Sequence, residues 1–198
     1  MPTQSKNIIV FGGGFCPPTL AHEAILHQCM QLNGYDEVWL VPSGDRTDKT
    51  MSLPHADRLA LLKIVCDTFA SHTRPLRLIQ DELLRTVPTE TYDTYKAFIA
   101  RHPTIKFWFV FGTDSYATIR QWYNGDYLAE HLPVLLIERA AKVPSPSKHV
   151  RFLRPLPAPL CHISSTQVRE ALTQSRPYTH LVSPEVATYL ELHHLFKP

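Results

Sequence analysis

The residues Phe11-Gly12-Gly13-Gly14-Phe15-Cys16-Pro17-Pro18-Thr19-Leu20-Ala21-His22 limit what this chain can become. Before them, Asn7-Ile8-Ile9-Val10 is short, apolar and rich in β-branched residues, the pattern of a buried parallel strand. After them, Glu23 to Leu32 carries apolar residues at 25, 26, 29 and 32, which predicts an amphipathic helix ending at Asn33-Gly34. A strand, a glycine-rich turn and a helix form the first half of a βαβ unit. Glycines let backbone come close to a phosphate, and the first-turn amides and dipole of the following helix favour its negative charge. Such a turn is therefore expected to hold a nucleotide.

The rest of the chain keeps the alternation. Strands are expected at 36–42, 75–79, 105–111, 132–137 and near 150–153, with Ile105 to Phe111 the strongest signal. Helices are expected after Pro54, through Phe69, and at 91–100, 164–172 and 185–195, whereas 81–90 reads as loop. Alternating strands and helices predict an α/β fold, with a mostly parallel five- or six-stranded sheet, helices on both faces and a small C-terminal helical appendage. Right-handed crossovers then bring the loops after the first and fourth strands to one edge, at the carboxyl ends. One domain over 1–198 is expected, with 7–160 as the sheet core and 161–198 as the helical part. At 198 residues and 44% hydrophobic, the chain can bury such a core.

Composition also excludes partners. A net charge of +2, with scattered Lys and Arg, argues against nucleic acid. No apolar run reaches transmembrane length, and the first residues lack a secretory core, so no membrane partner and a cytoplasmic protein are expected. Cys16, Cys29, Cys66 and Cys161 show neither disulfide nor zinc spacing, and Cys29 and Cys66 sit in apolar helical patterns that predict buried thiols. A homo-oligomer is compatible with all of this and is not indicated by any of it.

The glycine-rich stretch resembles the signature of the HxGH nucleotidyltransferases, G-G-[ST]-F-D-P-x-H-x-G-H. Gly12, Gly13, Phe15, Pro17 and His22 match, whereas Gly14, Cys16 and Ala21 depart from it, and Thr19 stands where the first histidine usually is. The resulting T-x-x-H form resembles eukaryotic nicotinamide mononucleotide adenylyltransferases. Ile163-Ser164-Ser165-Thr166-Gln167-Val168-Arg169 is identical to the I-S-S-T-x-[IV]-R motif of the same superfamily. Its hydroxyls, helix-start amides and guanidinium form an anion cradle suited to a polyphosphate. Gly112-Thr113-Asp114 followed by Trp122-Tyr123 resembles the G-x-D-x(7)-W pattern of the nicotinate and nicotinamide mononucleotide adenylyltransferases, in which the aromatic pair holds the pyridine ring. Thr91, Arg139 and Lys49 resemble that family's ring-contacting threonine, phosphate-contacting arginine and loop lysine, with the register of Lys49 open.

The resemblance implies a Rossmann-like nucleotidyltransferase joining ATP to nicotinate or nicotinamide mononucleotide, with release of pyrophosphate. It implies His22, Thr19 and Arg169 as the catalytic group. ATP would be held by Gly12, Gly13, Gly14, Phe15, His22, Gly112, Asp114, Ser164, Ser165, Thr166 and Arg169. The mononucleotide would be held by Lys49, Thr91, Trp122, Tyr123 and Arg139. Mg²⁺ would arrive on ATP, with no metal site in the protein. Two other readings remain open on the sequence. One is a nucleotidyltransferase acting on phosphopantetheine or using CTP, against which Trp122-Tyr123 speaks. The other is a non-catalytic nucleotide-binding relative, which Gly14, Cys16 and Ala21 keep open.

Overall fold

The computed structural model describes residues 5–45, 51–88, 90–138 and 148–196. Six strands form one sheet: β1 (Lys6–Gly13), β2 (Glu37–Pro42), β3 (Leu76–Leu78), β4 (Ile105–Gly112), β5 (Val134–Ile137) and β6 (Val150–Phe152). Their order is β3-β2-β1-β4-β5-β6 and every pairing is parallel. The helices are α1 (Leu20–Gln31), α2 (His55–Thr68), α3 (Thr91–Arg101), α4 (Thr113–Tyr116), α5 (Gly125–His131), α6 (Ser165–Thr173) and α7 (Pro184–Leu192). The α/β class and the six-stranded alternative are thus what the chain adopts. No helix among the described residues is long and apolar enough to cross a membrane.

Side chains of a strand alternate between its two faces, and both faces here are apolar. Ile9, Phe11, Val38, Leu40, Trp108 and Val110 pack on one side with α1, α2, α6 and α7. Ile8, Val10, Trp39, Val41, Phe107 and Phe109 pack on the other with α3 and α5. That explains why the strands read as continuous apolar runs and not as alternating ones. Helix α7 closes onto α2 through the Tyr189 hydroxyl, which donates to Asp57 Oδ1 at 3.0 Å. Cys29 is fully buried, and burial pushes its thiol up to about 12, but Cys66 is only half-buried, because it lies at the side of α2 and not on its core stripe.

Several boundaries differ from the sequence expectation. The first strand does not stop at Val10. It continues through Gly12 and Gly13, which pair with Val41 and Pro42. Pairing to β2 carries extended backbone into residues whose own propensity says turn. Helix α1 starts at Leu20, three residues earlier than expected, because Thr19 and His22 close a cap there. The last helix stops at Leu192 instead of 195.

One glycine that carries no motif is essential to the packing. Gly125 opens α5, and a Cβ there would lie 2.2 Å from the Ile119 carbonyl oxygen and 2.7 Å from that of Arg120. These are backbone atoms and cannot rotate away. Gly125→Ala is expected to cost about 3 kcal/mol and to lower the melting temperature by roughly 6–12 °C. A fall of under about 3 °C in a thermal melt would show that the segment from Ile119 to Gly125 yields.

Candidate active site

The sheet order reverses between β1 and β4, so the loops leaving their carboxyl ends diverge and open a crevice. A cavity of about 620 Å³ lies there. Gly12 and Gly13 form part of its floor, with Ser43 after β2. Thr91 at the start of α3 and the pair Trp122 and Tyr123 form the opposite wall. Residues far apart in sequence, and expected to handle the two ends of one reaction, therefore share a single cavity. Trp122 is half-buried, edge-on to Phe111 at 5.3 Å, and its indole N–H donates to Thr118 Oγ1 at 3.1 Å. Those contacts fix the ring. Tyr123 is 58% exposed and meets Tyr92 edge-on at 5.7 Å, so one of its faces stays open to a planar ligand.

The same wall carries two carboxylates, one of which, Glu82, lies outside every motif in the sequence. Glu82 and Glu90 both line the cavity, and the Thr94 hydroxyl donates to Glu82 Oε1 at 2.7 Å. The sequence signal for Glu82 was weak, because it sits in a segment without periodicity.

A second cluster surrounds the turn that follows β1. Glycine motifs suggest left-handed backbone, yet none of the three glycines there has a positive φ, whereas Phe15 has φ 42°. The glycine is needed for room instead: a Cβ on Gly13 would lie 3.2 Å from the tip of the Phe15 ring, which folds back over it. Phe15 is buried and meets Phe11 and His22 edge-on, at 5.4 and 5.1 Å.

Thr19 and His22 form one device. The Thr19 backbone N–H donates to His22 Nδ1 at 3.1 Å, and Thr19 Oγ1 lies 2.8 Å from the same nitrogen. A ring nitrogen that accepts from an amide must hold its lone pair there, so the ring proton belongs on Nε2. Thr19 is completely buried. In this arrangement Thr19 addresses the imidazole through both its amide and its hydroxyl. The helix start also differs from expectation. The Leu20 amide donates to the Leu181 carbonyl at 3.0 Å, so the C-terminal segment takes one of the first-turn donors.

Helix α6 is fastened onto the turn. Ser164 caps the helix, accepting from the Gln167 amide at 3.3 Å, while its own amide donates to Gln167 Oε1 at 2.8 Å. Ser165 Oγ donates to the Pro17 carbonyl at 2.8 Å. Arg169 Nη1 donates to the Cys16 carbonyl at 2.8 Å and Nη2 to Thr166 Oγ1 at 3.1 Å. The hydroxyls of Ser164 and Ser165, expected to reach a phosphate, are here committed to the cap and the turn. Thr166 is exposed, and the half-buried Arg169 guanidinium retains further N–H donors.

Gly112 ends β4 beside the cavity, Thr113 is buried, and Asp114 is exposed on α4. Lys49 and Arg139 lie outside the described residues. Among the described residues, no group of three or more His, Cys, Asp or Glu side chains comes together to hold a metal.

Arg58 falls in none of the sequence motifs. It is wholly buried on α2 beneath the turn. The signal was present: Arg58 falls on the stripe of Leu61, Leu62 and Val65, at the i+3, i+4 and i+7 spacing of a core-facing residue.

A parallel sheet that reverses order above a glycine-ended strand, with a histidine-bearing and an arginine-bearing helix start converging there, defines an α/β nucleotidyltransferase. A family model described as cytidylyltransferase-like matches residues 10–171. The probable nicotinate-nucleotide adenylyltransferase of Albidiferax ferrireducens is 30% identical, over 97% of this chain and 98% of its own length. The chain belongs to the cytidylyltransferase-like family, in its nicotinate/nicotinamide mononucleotide adenylyltransferase branch. The nicotinate-nucleotide adenylyltransferase of Bacillus subtilis is 28% identical over 97% of this chain and 99% of its own. Among solved structures, the Plasmodium falciparum nicotinic acid mononucleotide adenylyltransferase complexed with NaAD superposes with a TM-score of 0.84 at 26% identity, covering 96% of this chain and 97% of that one.

Proposed function

We propose that this enzyme transfers the adenylyl group of ATP to the phosphate of nicotinate mononucleotide, forming the deamido dinucleotide and releasing pyrophosphate. One observation carries the reading: the glycine end of β1 and the aromatic wall of Trp122 and Tyr123 line one cavity. The curated relatives and the Plasmodium neighbour, with its bound NaAD, support the same chemistry.

An oxygen of the mononucleotide phosphate attacks the α-phosphorus of ATP in line. The new P–O bond forms as the bond from the α-phosphorus to the bridging oxygen breaks, and pyrophosphate leaves. The enzyme contributes position and charge neutralisation. His22 donates from Nε2 to a phosphate oxygen as charge builds on it, with Thr19 holding the ring. Arg169, Thr166 and the turn from Gly12 to Phe15 hold the triphosphate, and Ser164 and Ser165 shape that cradle from behind. Gly112 and Asp114 border the nucleoside. Thr91, Trp122 and Tyr123 take the pyridine ring. Lys49 and Arg139 are assigned the acceptor phosphate on the family resemblance alone. Mg²⁺ carried by ATP would offset charge on the leaving pyrophosphate.

Acceptor choice rests on opposing features. Thr91 sits at the first position of α3, an 11-residue helix whose positive end favours a ring carboxylate. Glu82 and Glu90 act against it and can accept from a carboxamide NH₂. The helix end and the relatives' activity together favour nicotinate, by about tenfold or more in kcat/KM, or roughly 1.4 kcal/mol of transition-state binding. Glu90→Gln, which removes a like charge, is expected to raise the nicotinate preference about fivefold further. Both acceptors assayed at saturating ATP decide this. Equal rates, or preference for the amide, would overturn the choice of acceptor and leave adenylyl transfer standing.

A further inference from the structure

Arg58 is a buried cation with an unusual set of partners. Its Nε donates to the Gly14 carbonyl at 2.9 Å and its Nη2 to the Ser43 carbonyl at 2.5 Å. Its Nη1 is buried and has no acceptor. Among the described residues no carboxylate lies within ion-pair distance of it. Burying a guanidinium without an ion-pair partner costs several kcal/mol. A leucine or methionine would fill the same core stripe without that cost, so packing does not account for the residue.

What Arg58 holds does account for it. Gly14 belongs to the turn after β1, and Ser43 to the loop after β2. The Ser43 amide also donates to the Gly13 carbonyl at 2.9 Å, so the two segments are joined twice. With Arg169 on Cys16 and Ser165 on Pro17, four carbonyls of the turn, those of residues 13, 14, 16 and 17, are engaged by donors from outside it. In a trans peptide the N–H points opposite to the C=O. Drawing the Gly13 and Gly14 carbonyls toward β2 and α2 therefore turns the Gly14 and Phe15 amides the other way. Helix α2 packs against the face carrying Phe11 and Leu40, whereas the cavity is lined by Val10, Val41 and Phe109 of the opposite face.

We propose that Arg58 is a positioning residue for nucleotide phosphate: by holding the Gly14 and Ser43 carbonyls it presents the Gly14 and Phe15 amides to the triphosphate of ATP. This rests on the adenylyl-transfer reading above. Arg58 touches no ligand itself. Its buried positive charge, left with an idle Nη1, adds to the field that favours an anion at the turn. Lysine cannot substitute, because a single ammonium does not span two carbonyls held by a planar fork.

The test uses the full chain. Arg58→Lys and Arg58→Met are compared with wild type for melting temperature and for KM of each substrate, at least 10 °C below melting. Both variants are expected to raise the KM for ATP about tenfold or more while leaving that for the mononucleotide within about twofold. Ethylguanidinium is expected to restore part of the ATP affinity to Arg58→Ala. A residue that only stabilises the fold would move both constants together, or neither, and either result overturns the proposal. A second measurement needs no variant. Titrating ATP into ¹⁵N-labelled wild type should shift the Phe15 amide and the Arg58 Nε–H resonances in concert, and ATP that binds without moving both overturns it. Wild type that binds no ATP and releases no pyrophosphate would instead refute the functional reading itself.

Discussion

His22→Ala is expected to lower kcat by about 10² or more, the loss seen when one preorganised donor to a developing oxyanion is removed. Alanine also removes the acceptor for the Thr19 amide and the edge contact with Phe15, so a fall in stability would confuse its interpretation. His22→Gln separates the two roles. A glutamine three residues after a threonine cap can accept from the cap amide through its side chain, as in an ordinary capping box. The helix start is then kept while the imidazole Nε2 donor is lost. His22→Gln should therefore melt close to wild type and still lose about 10² in kcat. Near-normal turnover in that variant would remove the imidazole from the mechanism. Thr19→Val should lose less, because the Thr19 amide still addresses Nδ1 and only the hydroxyl contact disappears.

Arg169→Ala is the second large effect. Its guanidinium bridges the turn at Cys16 and the α6 start at Thr166, so it lies between the two segments assigned to the triphosphate. Charge-assisted hydrogen bonds contribute about 1.5–3 kcal/mol each, which corresponds to a rise of roughly 10–10² in the KM for ATP. The KM for the mononucleotide should change little. Arg169→Lys should recover only part of the loss, since a point charge does not reproduce the fork. The two substrates titrated separately, with calorimetry for ATP, check this. Unchanged ATP affinity together with unchanged ATP kinetics would sink the assignment.

Much of the fold was legible in the chain because apolar periodicity reports on the local backbone. The run from Ile105 to Phe111, flanked by Thr104 and Gly112, has the length and composition of a central strand and forms one. The end of β1 was not legible. Gly12 and Gly13 carry turn propensity, and only their pairing with β2 holds them extended. In the site, the motifs mark contiguous segments but not the partners that their side chains meet. Ser165 looked like a phosphate donor, yet it bonds Pro17 across a separation of 148 residues. Arg169 reaches Cys16 across 153. No local pattern contains such partners.

The order of strands and helices, and the parallel sheet that follows from their alternation, could be read from the chain. Those properties depend on neighbours within a few residues, or on motifs contiguous in the chain. The roles of single side chains came only with the folded arrangement. Folding buried Thr19 and so made it the support of His22. It moved the strain of the turn from the glycines to Phe15. It set Glu82 in the cavity wall beside Thr91, and it placed Arg58 beneath the turn as the tie between two loops. One cause underlies all four: a side chain's role is set by which donors and acceptors it meets and by whether water can reach it. In this protein those partners come from strands and helices that are adjacent only after the sheet has formed.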